Sequence, residues 1–515
     1  MEPMQAIIRI ERGRILSVEP YFGAVIIISE TGTETYPNAW ALPGLTDSHG
    51  HILGLGKSLR GLNLYDARSA NECAARAAAY TFGNGNWITG MGWNQELWEQ
   101  NIYPTAAILD AVLPAVPVYL SRADGHAAWV NSEALRLAGL TPATPDPDGG
   151  TIMREKSGKP TGILIDNAME LVRKHIPPAN AAEKQACIIA GLAECSRMGL
   201  TEVHDMDVSS DLFDFFRETA ERGALSLRVQ SFAKAQNNEW VTDGLLPAGG
   251  ELFRICGLKF YADGALGSHG AALLDPYSDA QGNTGLLLMS ESELFNKAKL
   301  GLEYDWHIAT HAIGDAANRM VLNVYEHLRE QGYTPKDAIL RIEHAQIVHP
   351  DDIDRFSRHD IKAAVQPIHC VSDARMAEHR LGRRCEYAYP WRSLRNAGVG
   401  LAGGSDFPIE SCSPLAGIDA FTRRIPFGES DAWFGAERIT RQEAVLAYTI
   451  WAHEAAGQDY RRGFLLPKYD ADITIMSENL LTYSEDNIPN IEILATYVAG
   501  TRKYHNDKYI PANRQ

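Results

Sequence analysis

The sequence predicts an α/β protein built on a TIM-like (β/α)8 barrel, and three observations carry that expectation. Eight short apolar or β-branched runs recur through the middle of the chain, at 42–51, 199–206, 225–232, 253–261, 306–312, 339–345, 361–366 and 399–405. Helical patterns, with apolar residues three and four apart, fill several of the intervals, at 181–198, 211–222, 316–331 and 350–358. Strands alternating with helices build parallel sheets, and eight such units close a barrel. The 515 residues also exceed the needs of one barrel, which uses roughly 250.

The flanking elements account for the excess. Near the start, runs at 6–10 and 14–18 flank a Glu-Arg-Gly turn, and 24–28 is a third β-rich run. The end of the chain is similar, with strand-like runs at 472–476 and 493–499 punctuated by Gly463, Pro467 and Gly500. Two β-rich ends predict a small composite β-sandwich domain from both termini, spanning 1–42 plus 455–515. The barrel is expected over 43–67 plus 176–454. The gap between the first two barrel runs far exceeds a βα connection, so 68–175 is expected to be a large insertion after the first strand. That stretch carries Trp87, Trp93, Trp98 and Trp129 and the turn-rich TPATPDPDGG.

Composition narrows the function. A net charge of −17 disfavours polyphosphate partners. Seven Cys with no CxxC argue against a disulfide framework or a thiolate zinc site and for a reducing compartment. The opening MEPMQAIIRIERGR lacks the basic and apolar regions of a signal peptide, and no apolar run is long enough to span a bilayer. The expectation is a cytoplasmic enzyme acting on a small molecule, with neither nucleic acid nor membrane as partner.

Chemistry concentrates at the strand ends. In PGLTDSHGHI, His49 and His51 are two apart on a predicted strand, so both imidazoles share a face. Two imidazoles on one face are half of a zinc or iron site. WHIATHAIGD places His311 at the C-terminal end of a strand; LRIEHAQ does so for His344 and GLAGGSDFP for Asp406. A barrel gathers those ends around one mouth. A buried carboxylate there is costly unless paired or metal-bound.

The order HxH, Lys, His, His, Asp resembles the amidohydrolase superfamily. PGLTDSHGH, SRADGHAAWVNSEAL, GLKFYADGALGSHGAALLDPY, ATHAIGDAANRMVLNVYE, RIEHAQIVHPDDI and AGGSDFPIE are similar to its amidohydrolase-3, YtcJ-like branch, which includes N-substituted formamide deformylase. The resemblance implies a metal-dependent hydrolase barrel holding one or two divalent ions, zinc foremost. His49, His51 and Asp406 would hold the first ion and His311 and His344 the second, bridged by a carboxylated Lys259. It further implies hydrolysis of a non-peptide C–N bond, in an amide, N-substituted formamide or N-acyl compound, by a metal-activated water. Asp406 would serve as general base and then general acid. A homodimer is the common assembly of such families.

Further residues are expected around the substrate: His126 from the insertion, Ser268 and His269 beside the fourth-strand loop, Trp93 with Trp98 as either the core of the insertion or an aromatic lid, and Asp263 as an orienting contact. Glu202 and His204 are assigned hydrogen-bonding roles, and Arg375, Arg380, Arg383 and Arg384 a solvated charged face. The sequence speaks against three rival readings. A metal-dependent deaminase of the same superfamily resembles others in a HxxE on the fifth strand, where this chain has His311-Ala-Ile-Gly314. A serine hydrolase needs GxSxG, and Leu266-Gly-Ser-His-Gly270 fails at its first position. A non-catalytic binding module would have lost ligands, and none is lost here.

Overall fold

The computed structural model describes residues 3–80, 87–123 and 125–508. Its centre is a parallel sheet of eight strands, paired in chain order: β1 (Leu45–Gly50), β2 (Leu200–Val208), β3 (Arg228–Lys234), β4 (Phe253–Tyr261), β5 (His307–Ala312), β6 (Leu340–His344), β7 (Lys362–Val365) and β8 (Leu401–Gly403). The strands are buried along nearly their whole length. This is why they read as continuous apolar runs rather than alternating ones. Helices return the chain between strands, among them Glu291–Glu303 before β5, Asp315–Glu330 before β6 and Pro367–Leu381 after β7. Ser290 caps the first of these by accepting the Glu293 N–H at 3.2 Å.

The sheet closes on itself just beyond β8. Asp406 N–H donates to the His49 carbonyl at 2.7 Å, and His51 N–H to the Phe407 carbonyl at 2.9 Å. Two glycines permit the seam. A Cβ on Gly50 would stand 2.3 Å from the Phe407 ring, and one on Gly404 would stand 2.6 Å from the His49 nitrogen.

The (β/α)8 expectation holds, with one run split. Residues 42–51 form two strands, Trp40–Pro43 and β1, parted at Gly44. A Cβ on Gly44 would meet the Thr201 hydroxyl at 2.1 Å. Only glycine lets the chain pass this close to β2.

Trp40–Pro43 belongs to an antiparallel sheet with Ile473–Met476, Ile493–Val498 and Thr501–His505. A second four-stranded sheet is formed by Ala6–Glu11, Arg14–Pro20, Ala24–Ser29 and Gly32–Pro37. In it the first and third strands run parallel, and the fourth was not anticipated from the sequence. One apolar core joins the two sheets, with Ile8, Ile10, Val25 and Ile27 from the start of the chain and Ile473, Ile475 and Leu494 from the end. Inside it the Tyr36 and Tyr497 hydroxyls meet at 2.6 Å.

Leu53–Gly191 forms a separate compact unit. Its six-stranded sheet runs, in spatial order, Gly150–Arg154, Pro160–Asp166, Ala127–Val130, Val118–Arg122, Ile88–Trp93, Leu62–Asn63. Trp93, Trp98 and Trp129 fill its core. Among the described residues no helix is long and apolar enough to cross a membrane.

Candidate metal centre and active site

His49, His51, Lys259, His311, His344 and Asp406, drawn from β1, β4, β5, β6 and the turn after β8, line one cavity of about 480 Å³. Period-two geometry accounts for some of this convergence, and local backbone for the rest. His344 and Ala345 both adopt left-handed φ, 72° and 41°, and Asp406 has φ 58°. Strained backbone of this kind persists only where the surroundings impose it.

Hydrogen bonds aim the imidazoles. His49 Nδ1 lies 2.5 Å from Glu343 Oε2, leaving Nε2 at 3.6 Å from Asp406 Oδ1. His51 Nδ1 donates to the Met206 carbonyl at 3.0 Å, leaving its Nε2 at 3.1 Å from the same carboxylate oxygen. Each ring thus has its tautomer set by one nitrogen and its other nitrogen turned to the acid. The His311 and His344 rings lie 4.5 Å apart between centroids, and both are buried. Among the described residues His311 Nε2 and His344 Nδ1 have no hydrogen-bond partner. Burial holds His49 down to about 4 and His311 to about 3, with the Lys259 charge acting in the same direction, so both rings are neutral at ordinary pH. Burial would raise Asp406, but its hydrogen bond with His51 and the imidazoles around it hold it well below the usual carboxylate range.

Lys259 is 1 % exposed. Its Nζ lies 3.5 Å from His49 Nε2, and among the described residues no carboxylate forms an ion pair with it. Burial depresses its pKa. Asp263, expected as an orienting contact, accepts the N–H groups of Ala272, Ile313 and Gly314 at 2.8–3.0 Å. Asp263 Oδ1 also lies 3.5 Å from His311 Nε2. It therefore anchors the loop after β4 to the end of β5 and does not line the cavity.

The remaining expectations are revised. Ser268 and His269 are outside the cavity lining; the loop reaches it through Ala265, Leu266 and Gly267. Ser268 donates to the Ala265 carbonyl, and His269 pairs with Asp279 at 3.1 Å. Trp93 is fully buried and spends its indole N–H on the Leu120 carbonyl at 2.8 Å, while Trp98 donates to the Ala67 carbonyl. Both pack in the core of the Leu53–Gly191 unit, and neither lines the cavity of the histidine cluster. His126 belongs to the Leu53–Gly191 unit, where Nδ1 meets Asp166 at 2.9 Å. Glu202 and His204 do hydrogen-bond, to Arg462 and Arg341. Of the arginines, Arg375 pairs with Glu429, while Arg380 and Arg384 pin the loop after β4 through Asp279, Gly267, Asp275 and Pro276.

Sequence reasoning missed Glu343, Arg341, Gln346, His369 and Asp373. Glu343 supports His49 and is gripped by Arg341 at 2.5 Å. Against burial, which would raise it, that guanidinium and His49 hold Glu343 far below the usual range. His369, from Pro367–Leu381, lines the cavity 3.9 Å from Asp406 Oδ2, with its ring parallel to His344.

The donor set fits a metal. His49, His344 and Asp406 offer ligand atoms within 4.8 Å of one another. Neutral imidazole with carboxylate suits zinc and its neighbours in the first transition row.

Comparison with known proteins agrees. A model of the amidohydrolase family matches residues 38–504. The chain is 34% identical to the protein LONG AFTER FAR-RED 3 of Arabidopsis thaliana, over 96% of this chain and 88% of that one. It is 32% identical to the YtcJ amidohydrolase of Bacillus subtilis, over 92% and 91%. It is 27% identical to the N-substituted formamide deformylase of Arthrobacter pascens, over 82% and 79%. In structure it is similar to a metal-dependent hydrolase from Pyrococcus furiosus, with a TM-score of 0.75, 25% identity, and 93% and 99% of the two chains covered. A family match that begins before the first barrel strand and ends in the last strand of the sandwich takes in the whole barrel, and on it the chain belongs to the amidohydrolase family.

Proposed function

We propose that the protein is a metal-dependent hydrolase of a non-peptide C–N bond, in an N-substituted formamide or another N-acyl amine. The observation that carries this reading is the convergence of unpartnered, buried imidazoles with one ionised carboxylate in a single cavity. His49, His51 and Asp406 would hold one divalent ion, zinc foremost, and His311 and His344 a second. A bound ion in such a site polarises a carbonyl and makes water more acidic. Lys259 would help to hold the ions as a carbamate, its neutral amine adding carbon dioxide and losing a proton to give an anionic oxygen donor, and its burial with no carboxylate ion pair among the described residues supports this. The similarity to N-substituted formamide deformylase supports the choice of bond.

The chain's own groups supply the proton transfers. Asp406 is ionised and stands at the centre of the ligand cluster, where it can take a proton from water and pass it to the leaving nitrogen. His51 orients that carboxylate, and Glu343 fixes the ring of His49. A deaminase reading loses ground at Gly314, where a Cβ would stand 1.9 Å from the Ala272 carbonyl oxygen, so no acidic side chain fits there.

The test is metal analysis by plasma mass spectrometry, with native mass measurement in bicarbonate and a screen of N-alkylformamides and N-acetylamines. The expected result is one or two divalent ions per chain, a labile added carboxyl mass lost in Lys259→Ala, and turnover abolished in His311→Ala. Protein that takes up no zinc, manganese or iron and cleaves no amide would overturn the reading.

A further inference from the structure

The catalytic cavity has walls that the metal ligands and Asp406 leave unused. Lys259 is the only Lys or Arg among the described residues that line it, whereas Asp373 and Glu410 add two carboxylates to Asp406. Glu410 is engaged by the Ser372 hydroxyl at 2.6 Å. Asp373 is half-buried and accepts a single long hydrogen bond, 3.3 Å from the Tyr389 hydroxyl. Gln346 is 3 % exposed and lines the same cavity, yet its Nε2 has no acceptor among the described residues. Tyr389 ties the two together, since its backbone N–H donates to the Gln346 carbonyl while its hydroxyl reaches Asp373.

A buried amide donor without an acceptor and a carboxylate with one weak partner are both costly in an apolar wall. Both costs vanish if a ligand supplies the missing partners. The geometry points to a substrate subsite in which Asp373 receives a protonated amino group and Gln346 donates to an acceptor oxygen, so that the preferred substrate is an N-acylated diamine and N-acyl amino acids are rejected. This inference rests on the amide-hydrolase reading of the same cavity. In the reaction, the acyl–nitrogen bond breaks, the water oxygen joins the acyl carbon, and the leaving nitrogen gains a proton. The products are a carboxylic acid and a diamine. A substrate carboxylate would face Asp373 and Glu410 with no arginine or free lysine among the described lining residues to receive it.

The test uses metal-loaded full-length protein and three probes of one length: N-acetylputrescine, its uncharged analogue N-pentylacetamide, and the carboxylate analogue N-acetyl-γ-aminobutyrate. Wild type is expected to favour the cationic probe over the anionic one by about 100-fold in kcat/KM, as charge reversal against a fixed carboxylate requires. Asp373→Asn should shrink that gap to a few-fold, chiefly through KM. Tyr389→Phe removes the same hydrogen bond but keeps the carboxylate, and should retain the preference. Equal losses on all three probes in Asp373→Asn, or a wild-type preference for the anionic probe, would overturn the subsite. Calorimetry with putrescine separates this inference from the reaction. Binding to wild type that weakens at least about tenfold in Asp373→Asn supports the subsite even if no probe is cleaved. Cleavage of the neutral probe without putrescine binding would overturn the subsite and leave the amidohydrolase reading standing.

Discussion

Glu343 touches no cavity surface, yet it sets the tautomer of His49 and is itself held by the fully buried Arg341. Outer partners of this kind typically carry 10–100-fold of metal affinity. Glu343→Gln is therefore expected to weaken zinc binding by about that factor in a chelator-competition titration. Arg341 would lose its ion pair while keeping its contacts with His204, Phe232 and the Ser48 and Ala455 carbonyls, so the melting temperature should fall as well. The residues that converge on the cavity were legible in the sequence because histidines at the ends of apolar runs are conspicuous. Glu343 was legible in principle, since strand alternation puts it on one face with Arg341 in LRIEH. His344 would then point away, and it is the left-handed turn through 344 and 345 that recruits it. Neither residue is a glycine, so nothing in the sequence announced that turn. Trp93 stays open between core and lid in the sequence for a related reason: an aromatic side chain looks the same in either place until its N–H partner is known.

The seam where β1 meets the segment after β8 is an element held shut by very few hydrogen bonds and two close glycine contacts. Gly404→Ala would press a methyl group onto the His49 backbone, which has no freedom to yield without moving His49 and Asp406. The expected outcome is loss of metal and of activity by more than about tenfold while far-ultraviolet circular dichroism stays close to wild type, because the strained contact lies at the site rather than in the helices. Unchanged metal content in that variant would show the seam to be more pliant than its contacts imply. At this scale the strands and helices were largely visible from periodicity. Their boundaries were not, as the division of 42–51 at Gly44 illustrates: the break depends on how near β2 passes.

Across the whole molecule, buried neutral histidines link stability to pH. His204 and His307, neither of them placed among the ligands, are held by burial at about 4 and about 3. An unfolded histidine takes up its proton near 6.5. Between those values the unfolded chain binds more protons than the folded one, so stability is full above about pH 6.5 and declines as pH falls toward 4, by up to about 1.4 kcal/mol per unit for each histidine. His307 accepts the Ile339 N–H through Nδ1 at 3.3 Å, and its Nε2 has no partner. His307→Asn keeps an acceptor near that N–H and should flatten the decline, measured as urea midpoints between pH 4.5 and 7.5. An equal slope in both proteins would assign the acid sensitivity elsewhere. Metal stabilises in the opposite direction. A ligand at a thousand times its Kd adds about 4 kcal/mol to the folded state, so chelation should lower the melting temperature by several degrees and zinc should restore it.

The barrel is sewn shut by residues from its two ends, and this has a consequence for synthesis. His49 leaves the ribosome early, and Asp406 leaves only after nearly all of the barrel has been made. A nascent chain therefore carries individual histidines but no complete cluster. The full candidate ligand set exists only once Asp406 has emerged, so a chain stalled before it would hold the histidines and Lys259 but lack the carboxylate of the cluster.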